Sequence, residues 1–189
     1  MNRKNPLTFL FIASISLSFV HPTYDRVRFV YDGDTILLDS GKKVRYLGID
    51  APEMGYEGNE SEFMATASRD FNLRLVDKKR VRLEFDREKR GPHGRLLAYV
   101  FSENGDMINA LLVRHGLARV MVKRPNLKYF SLLLHDQRLA MAEKLGIWSG
   151  EGVKKERHYL GNSKSYRFHR PACAFAGQIR PRNLVIFEN

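Results

Sequence analysis

Hydrophobic and polar residues alternate in short segments along much of the chain after residue 22, which predicts β-strands. Turn signals at Asp32-Gly33-Asp34 and Ser40-Gly41 separate the first three segments, and Pro52 ends the third. The pattern predicts five strands in a 3 + 2 split, over 26–31, 35–38, 43–49, 81–85 and 96–101.

A helical period of apolar residues replaces the alternation in three places, over 60–76, 107–115 and 127–145. Asn59 and Asn126 are the predicted N-caps of the first and third helices, and Gly116 and Gly146 follow the second and third. In the first helix the predicted buried stripe is Phe63, Ala67, Phe71 and Leu75.

Five strands interleaved with three helices predict an α+β fold built on a five-stranded OB-type β-barrel. The predicted core includes Phe63, Leu83, Leu96, Tyr99 and Leu112, and Trp148 is expected to fix the third helix to the barrel.

The two ends of the chain differ from this central part. Residues 7–20 carry no charge and follow Arg3 and Lys4, which is typical of a signal peptide. An uncleaved signal anchor and a buried apolar strand remain alternatives. Residues 151–189 are basic, with eight lysines and arginines against three acids. We therefore expect a leader over 1–22, a folded domain over 23–150, and a basic tail or small appended module over 151–189 of a secreted or envelope-associated protein.

Net charge narrows the class of partner. The chain has 32 lysines and arginines against 21 acidic residues, a formal net charge of +11, which attracts polyanions. Nucleic acid, anionic lipid and acidic polysaccharide all fit this charge. Cys173 is the sole cysteine, so an intramolecular disulfide is excluded and the core must hold the fold.

Three carboxylates stand beside predicted chain reversals, and two arginines stand on predicted strands. Asp34, Asp50 and Glu53 offer oxygen ligands that suit Ca²⁺ or Mg²⁺. Arg45 and Arg95 offer guanidinium groups that bind phosphate oxygens bidentately. These are the groups that phosphodiester hydrolysis requires, although turn-forming aspartates and surface arginines explain each residue when it is taken alone.

Several blocks of sequence, in order and with consistent spacing, resemble the staphylococcal nuclease (thermonuclease) family. They are DGDTI at 32–36, VRYLGIDAPE at 44–53, GRLLAYV at 94–100, NALLVRHGLA at 109–118 and GIW at 146–148. The resemblance implies a calcium-dependent nuclease that acts on DNA and RNA with little sequence specificity and leaves 3′-phosphates.

The same resemblance implies roles for individual residues. Asp34, Asp50 and the backbone carbonyl of Ala51 match the calcium ligands of the family. Glu53 matches the general base, and Arg45 and Arg95 match the phosphate-binding arginines.

The chain departs from the family where aromatic residues pack on the nucleotide base. His93, Met121 and Lys123 occupy those places, and Lys123 and Arg124 are expected to bind the phosphate backbone instead.

In the tail, the segment 161–173 resembles a small metal-binding appendage of some bacterial nucleases. His169 and Cys173 supply only two of the four ligands that a structural zinc site needs.

Two other classes of function remain open at this point. One is a non-catalytic OB-fold module that binds nucleic acid, and the other is a basic surface protein that adheres to anionic polymers. The expected partner of the nuclease is DNA or RNA. Nothing in the sequence indicates an obligate protein partner, so a monomer is expected.

Overall fold

In the computed structural model of the chain, which describes residues 23–55, 58–150, 158–164 and 167–188, five strands close into a barrel. The predicted leader lies outside the described residues. No helix within the described ranges is long and apolar enough to cross a membrane.

The barrel strands are β1 (Thr23–Val30), β2 (Thr35–Leu38), β3 (Lys43–Tyr46), β5 (Arg80–Glu84) and β6 (Leu96–Phe101). A barrel with three helices confirms the predicted α+β fold.

The barrel closes in the order β1-β2-β3-β6-β5. All neighbouring strands are antiparallel except β3 and β6, which run parallel with Arg45 opposite Leu97. Alternation along β3 sends Val44 and Tyr46 into the core, where both are almost completely buried. Arg45 lies between them and therefore points away from the core centre, toward the chain reversals at one end of the barrel.

The third predicted strand, 43–49, is interrupted. A turn at Leu47 and Gly48 separates β3 from the two-residue strand β4 (Ile49–Asp50). Gly48 has a φ of 77°, and a Cβ there would lie 2.7 Å from a Leu133 methyl group, so both backbone geometry and packing favour glycine. The turn lets β4 pair with β7 (Arg119–Val120), which places Asp50 opposite Arg119.

The first helix, α1, spans Ala65–Val76, so the predicted start at residue 60 and the Asn59 cap were wrong. The residues before it hold a loop in place. The backbone N–H of Glu62 donates to the Glu53 carbonyl at 3.0 Å, and Ser61 Oγ accepts from the Gly55 N–H at 3.0 Å. Because these groups bond across the loop, the helix begins only after Met64, whose φ is 67°.

Helix α2 spans Ile108–Arg114, close to its predicted range, and α3 spans Phe130–Ala142. Asn126 is buried and does not cap α3. Its side chain instead accepts from the Glu88 N–H at 2.8 Å and donates to the Glu88 carbonyl at 2.9 Å. These two bonds join the loop before α3 to the loop after β5. Trp148 lies beyond α3, half-buried in a 3₁₀ turn at Gly146–Trp148.

Three residues of the predicted stripe on α1, namely Ala67, Phe71 and Leu75, are half-buried and pack against the core, but they are not the most buried residues of the helix. Ala65, Ser68, Asn72 and Val76 are its buried residues, whereas Phe63 precedes the helix and is 41% exposed. The prediction that Phe63 belongs to the core was therefore wrong. The remaining predicted core residues are buried, namely Leu83, Leu96, Tyr99 and Leu112.

The described residues of the tail, 158–164 and 167–188, form a small three-stranded antiparallel sheet with its connecting turns. Its strands are β8 (His158–Asn162), β9 (Arg167–His169) and β10 (Leu184–Glu188), in the order β10-β8-β9. Two 3₁₀ turns, Ala176–Gln178 and Pro181–Asn183, connect β9 to β10. Phe168 and Phe187 contact each other edge to face across this sheet, with ring centroids 4.9 Å apart.

Candidate active site

The turn between β1 and β2 presents an aspartate on a fixed backbone. Asp32 Oδ1 accepts a hydrogen bond from the Asp34 N–H at 2.9 Å, which shapes the turn. On the helix side, Asn72 Nδ2 donates to the Asp32 carbonyl at 3.1 Å. Gly33 lies against α1, because a Cβ at this position would overlap Ser68 Oγ. Helix α1 therefore sets the position of the turn.

Asp34 is buried with a side chain 2% exposed, and both of its carboxylate oxygens are engaged. Oδ1 accepts from Thr35 Oγ1 at 3.0 Å, and Oδ2 accepts from the Ala51 N–H at 2.7 Å. The second bond connects the β1–β2 turn to the residue directly after β4. Two segments that are separate in the sequence thus meet at one carboxylate.

Arg45 joins the two aspartates. Its guanidinium forms an ion pair with Asp34 and donates from Nη2 to Asp50 Oδ1 at 2.8 Å. The other Asp50 oxygen, Oδ2, accepts from Arg119 Nε at 3.1 Å. We call Asp34, Arg45, Asp50 and Arg119 the carboxylate–arginine cluster. It gathers three predicted site residues and one that was not predicted.

Burial and charge shift the titration of groups in and beside this cluster. Burial raises the pKa of Asp32, although attraction to Arg45 opposes the rise. Burial also lowers the pKa of Arg45, while the neighbouring Asp50 and Asp32 carboxylates raise it. Carboxylates and guanidinium therefore offset each other's cost of desolvation.

Glu53 lies on the loop after β4, exposed and close enough to the cluster for its charge to matter. Its pKa is raised by burial and then by repulsion from Asp32, with Arg45 acting in the opposite direction. The backbone N–H of Glu53 donates to Glu62 Oε2 at 3.1 Å, which fixes the start of the loop. A carboxylate with a raised pKa beside a basic group is suited to accept a proton.

Arg95 immediately precedes β6 and is half-buried. Because Arg45 is opposite Leu97 in the parallel β3–β6 pair, the two-residue alternation puts Arg95 on the same side of the sheet as Arg45. Within the described residues, the Arg95 guanidinium has no hydrogen bond or ion pair. Arg95 is therefore a cation on the same side of the sheet as Arg45, without a partner in that part of the chain.

The three predicted substrate-binding residues do not join the cluster. His93 lies in the exposed turn before β6, and Lys123 and Arg124 lie in an exposed loop after β7. Arg124 lines a groove of about 420 Å³ together with Arg87 and Lys128. Three cationic side chains therefore line a groove that includes Arg124, one of the residues predicted from the sequence to bind the phosphate backbone.

The donor groups of the cluster are those that a hard cation prefers. Asp34, Asp50 and the Ala51 carbonyl are all oxygen ligands, and the guanidinium of Arg45 already brings the two carboxylates together around a positive charge. In the described part of the chain, no group of three or more His, Cys, Asp or Glu side chains is arranged to hold a metal ion. This holds for the tail too, where His169 Nδ1 and Cys173 Sγ are 3.5 Å apart.

Sequence reasoning missed three residues that build the site. Arg119 reaches Asp50 only because β4 pairs with β7, which the sequence does not indicate. Ser68 and Asn72 support the first turn from α1, and both are completely buried. Their spacing of four residues on one helical face was the available signal, since polar residues there are expected to bond to something specific.

Comparison with known proteins agrees with this geometry. The sequence profile of the family described as "Staphylococcal nuclease homologue" matches residues 43–150, a range that contains Arg45, Asp50, Glu53 and Arg95. A thermonuclease of Staphylococcus intermedius is 38% identical over 125 residues, which cover 65% of this chain and 74% of that protein. Endonuclease YncB of Bacillus subtilis strain 168 is 38% identical over 147 residues, covering 75% of this chain and 68% of that protein. The resemblance read from the sequence is confirmed: the chain belongs to the staphylococcal nuclease family.

Proposed function

We propose that this protein is a calcium-dependent nuclease that hydrolyses phosphodiester bonds of DNA or RNA with little sequence specificity. The observation that carries the proposal is the convergence of Asp34 and Asp50 on the Arg45 guanidinium, beside Glu53. The relatives named thermonuclease and endonuclease support the same activity.

Asp34, Asp50 and the backbone carbonyl of Ala51 would hold the calcium ion. Their oxygens match the preference of Ca²⁺. Hydrogen bonds from Thr35 Oγ1 and from the Ala51 N–H hold the Asp34 carboxylate, and the second of these bonds keeps Ala51 next to Asp34. When bound, the ion supplies positive charge that offsets the charge on the reacting phosphate.

Glu53 acts as the general base. Its pKa is raised by burial and by repulsion from Asp32, which makes its carboxylate a better proton acceptor than an ordinary surface glutamate. The water oxygen bonds to phosphorus and its proton passes to the Glu53 carboxylate. The bond from phosphorus to the 5′ oxygen then breaks, so the phosphate remains on the 3′ oxygen.

Arg45 and Arg95 bind the phosphate oxygens and stabilise the added negative charge of the transition state. Arg45 is anchored by two carboxylates, so its position is fixed before substrate binds. Arg95 has no such anchor among the described residues, and we assign it to the leaving 5′ oxygen, which takes up a proton from water. His93, Lys123 and Arg124 would contact the strand outside the reacting phosphate.

We also propose that the leader over 1–22 exports the protein and that the protein acts as a monomer. The catalytic domain spans 23–150. The basic tail over 151–189 adds contacts to the nucleic-acid backbone. The apolar run after Arg3 and Lys4 supports export. The net charge of +11 supports attraction of a polyanionic substrate.

Cleavage of single-stranded DNA by two variants tests the residue roles. Glu53→Gln and Arg95→Ala are each expected to lower kcat by about a hundredfold or more, because each removes one contact made in the transition state. Neither side chain belongs to the carboxylate–arginine cluster, and neither is fully buried, so both variants are expected to fold. A fluorogenic oligonucleotide in calcium buffer provides the rate.

Matched controls are Glu103→Gln and Arg28→Ala, which change the same charges at exposed positions outside the cluster. Both are expected to cut at the wild-type rate. If Glu53→Gln and Arg95→Ala cut at the wild-type rate, the catalytic roles proposed for Glu53 and Arg95 would be contradicted. A non-catalytic OB-fold binding module would then be favoured.

A further inference from the structure

A second groove, of about 350 Å³, opens directly beside the carboxylate–arginine cluster. Four separate parts of the chain line it, one of them the 3₁₀ turn through Ile147. The loop after β4 contributes Glu62 and Phe63, β7 contributes Arg119, and the tail contributes Arg170 just after β9. Asp50 belongs both to this groove and to the cluster, so a strand bound at the cluster reaches the groove without a gap.

The groove contains cations placed for phosphate. Arg119 is 56% exposed even though its Nε bonds to Asp50, which leaves its terminal nitrogens accessible. Arg170 is exposed, and its guanidinium forms no hydrogen bond or ion pair with any residue that the structure describes. The charge of Asp50 is already offset by Arg45 and Arg119. Arg170 is therefore the cation in this groove with the fewest competing partners.

Phe63 gives the groove an aromatic wall. The Phe63 side chain precedes α1, is 41% exposed and lines the groove together with Arg119 and Arg170. An exposed aromatic ring beside arginines is the combination that binds single-stranded nucleic acid, since every base has a face that stacks. His93 and Met121, where the family places aromatic residues, do not line this groove.

We propose that this groove binds the nucleotide one position beyond the two that flank the scissile phosphate of a single strand, with Phe63 stacking on its base and Arg170 binding its phosphate. The inference rests on the proposed nuclease function and gives the tail a specific role in it. Arg170 acts on substrate binding and does not touch the reacting bond. Longer strands therefore gain affinity from the groove, whereas the shortest substrates do not reach it.

The test compares a dinucleotide with a single-stranded oligonucleotide of about twelve nucleotides, using the full chain. Arg170→Gln is expected to raise KM for the longer strand about tenfold at unchanged kcat, and to leave the dinucleotide unaffected. Its salt dependence, as the slope of log K against log salt, is expected to fall by about 0.7, the value for one phosphate of a single strand.

Phe63→Ala is expected to raise KM for the longer strand at least about fivefold through lost stacking, and Phe63→Tyr is expected to restore it. Arg182→Gln is the matched control, because Arg182 is an exposed tail arginine outside the groove. Equal effects of Arg170→Gln and Arg182→Gln would show only a diffuse contribution of tail charge and would overturn the proposal.

Fluorescence anisotropy with the same labelled oligonucleotides separates this inference from the proposed function. Binding does not depend on turnover, so a wild-type protein that binds but does not cut would refute the nuclease proposal alone. The other outcome is that the wild type cuts and that the Arg170→Gln variant binds and cuts the longer strand normally. This outcome would refute the proposed role of the groove and leave the nuclease proposal intact.

Discussion

Arg45 combines a structural and a chemical role in one side chain. Its side chain is 11% exposed and lies between Asp34 and Asp50. Removing it would leave the Asp34 carboxylate, which is 2% exposed, without its charge partner, a change that typically costs about 3–5 kcal/mol. Loss of activity in an Arg45 variant would therefore mix instability with lost catalysis, and Glu53 and Arg95 are the better positions to test chemistry.

Gly33 is predicted to be intolerant of even one methyl group. A Cβ there would lie 2.7 Å from Ala51 Cβ and closer still to Ser68 Oγ. Gly33→Ala should therefore force the first turn away from α1 and lower the free energy of unfolding by about 1–3 kcal/mol, measured by urea denaturation.

Gly91→Ala is the matched control for that substitution. A Cβ at Gly91 would meet Leu97 at 3.4 Å, an ordinary contact. It is expected to change the free energy of unfolding by much less than Gly33→Ala. Equal destabilisation by the two variants would contradict the role assigned to the packing of the turn against α1.

At the scale of residues, the sequence identified the groups that lie in signature blocks but not their supports. Asp34, Arg45 and Asp50 stand in those blocks, and the fold brings their side chains into contact. Arg119 and Asn72 reach the site through the pairing of β7 and the packing of α1. Such contacts depend on tertiary arrangement, which local patterns do not encode.

At the scale of elements, strand patterns predicted the barrel better than cap residues predicted helix starts. The five barrel strands lie within a few residues of their predicted ranges because alternation reports burial directly. Asn126 satisfies the requirements of an N-cap, but the same side chain bonds equally well to a neighbouring loop, and here it bonds to Glu88. Helix starts were therefore predicted too early.

The contact between β5 and the start of α3 is predicted to depend on pH. Glu84 accepts hydrogen bonds from Lys128 at 2.5 Å, Tyr129 at 2.8 Å and Arg82 at 3.0 Å. Burial raises the pKa of Glu84, but these donors outweigh it and the pKa is lowered overall. The ionised form therefore stabilises the fold above the unfolded-state pKa, and that contribution is lost as pH falls through the lower folded-state pKa.

Glu84→Gln should thus lower the urea midpoint at neutral pH, with a cost of about 1 kcal/mol or less because the site is partly solvated. The difference between wild type and variant is expected to shrink toward zero in the acidic range, as pH falls through the lowered folded-state pKa of Glu84. A difference that stays constant across this range would show that the ionised carboxylate contributes nothing.

At the scale of the whole molecule, the net charge of the protein is positive, but its candidate active site contains a local group of acidic side chains. The net charge of +11 attracts a polyanion over distance, while Asp32, Asp34 and Asp50 gather at one end of the barrel. Such a combination serves long-range attraction of nucleic acid together with short-range binding of a cation. The small sheet over 158–188 extends this surface through Arg170.

Calcium-dependent hydrolysis at the cluster is tested by cleavage of single-stranded DNA by the full chain, first with Ca²⁺ and then with EGTA. We expect cleavage in calcium, its loss on chelation, and its return when calcium is restored in excess. Cleavage that continues unchanged in EGTA would contradict the calcium assignment. Binding of DNA without cleavage in either condition would contradict the claim that this protein is a nuclease.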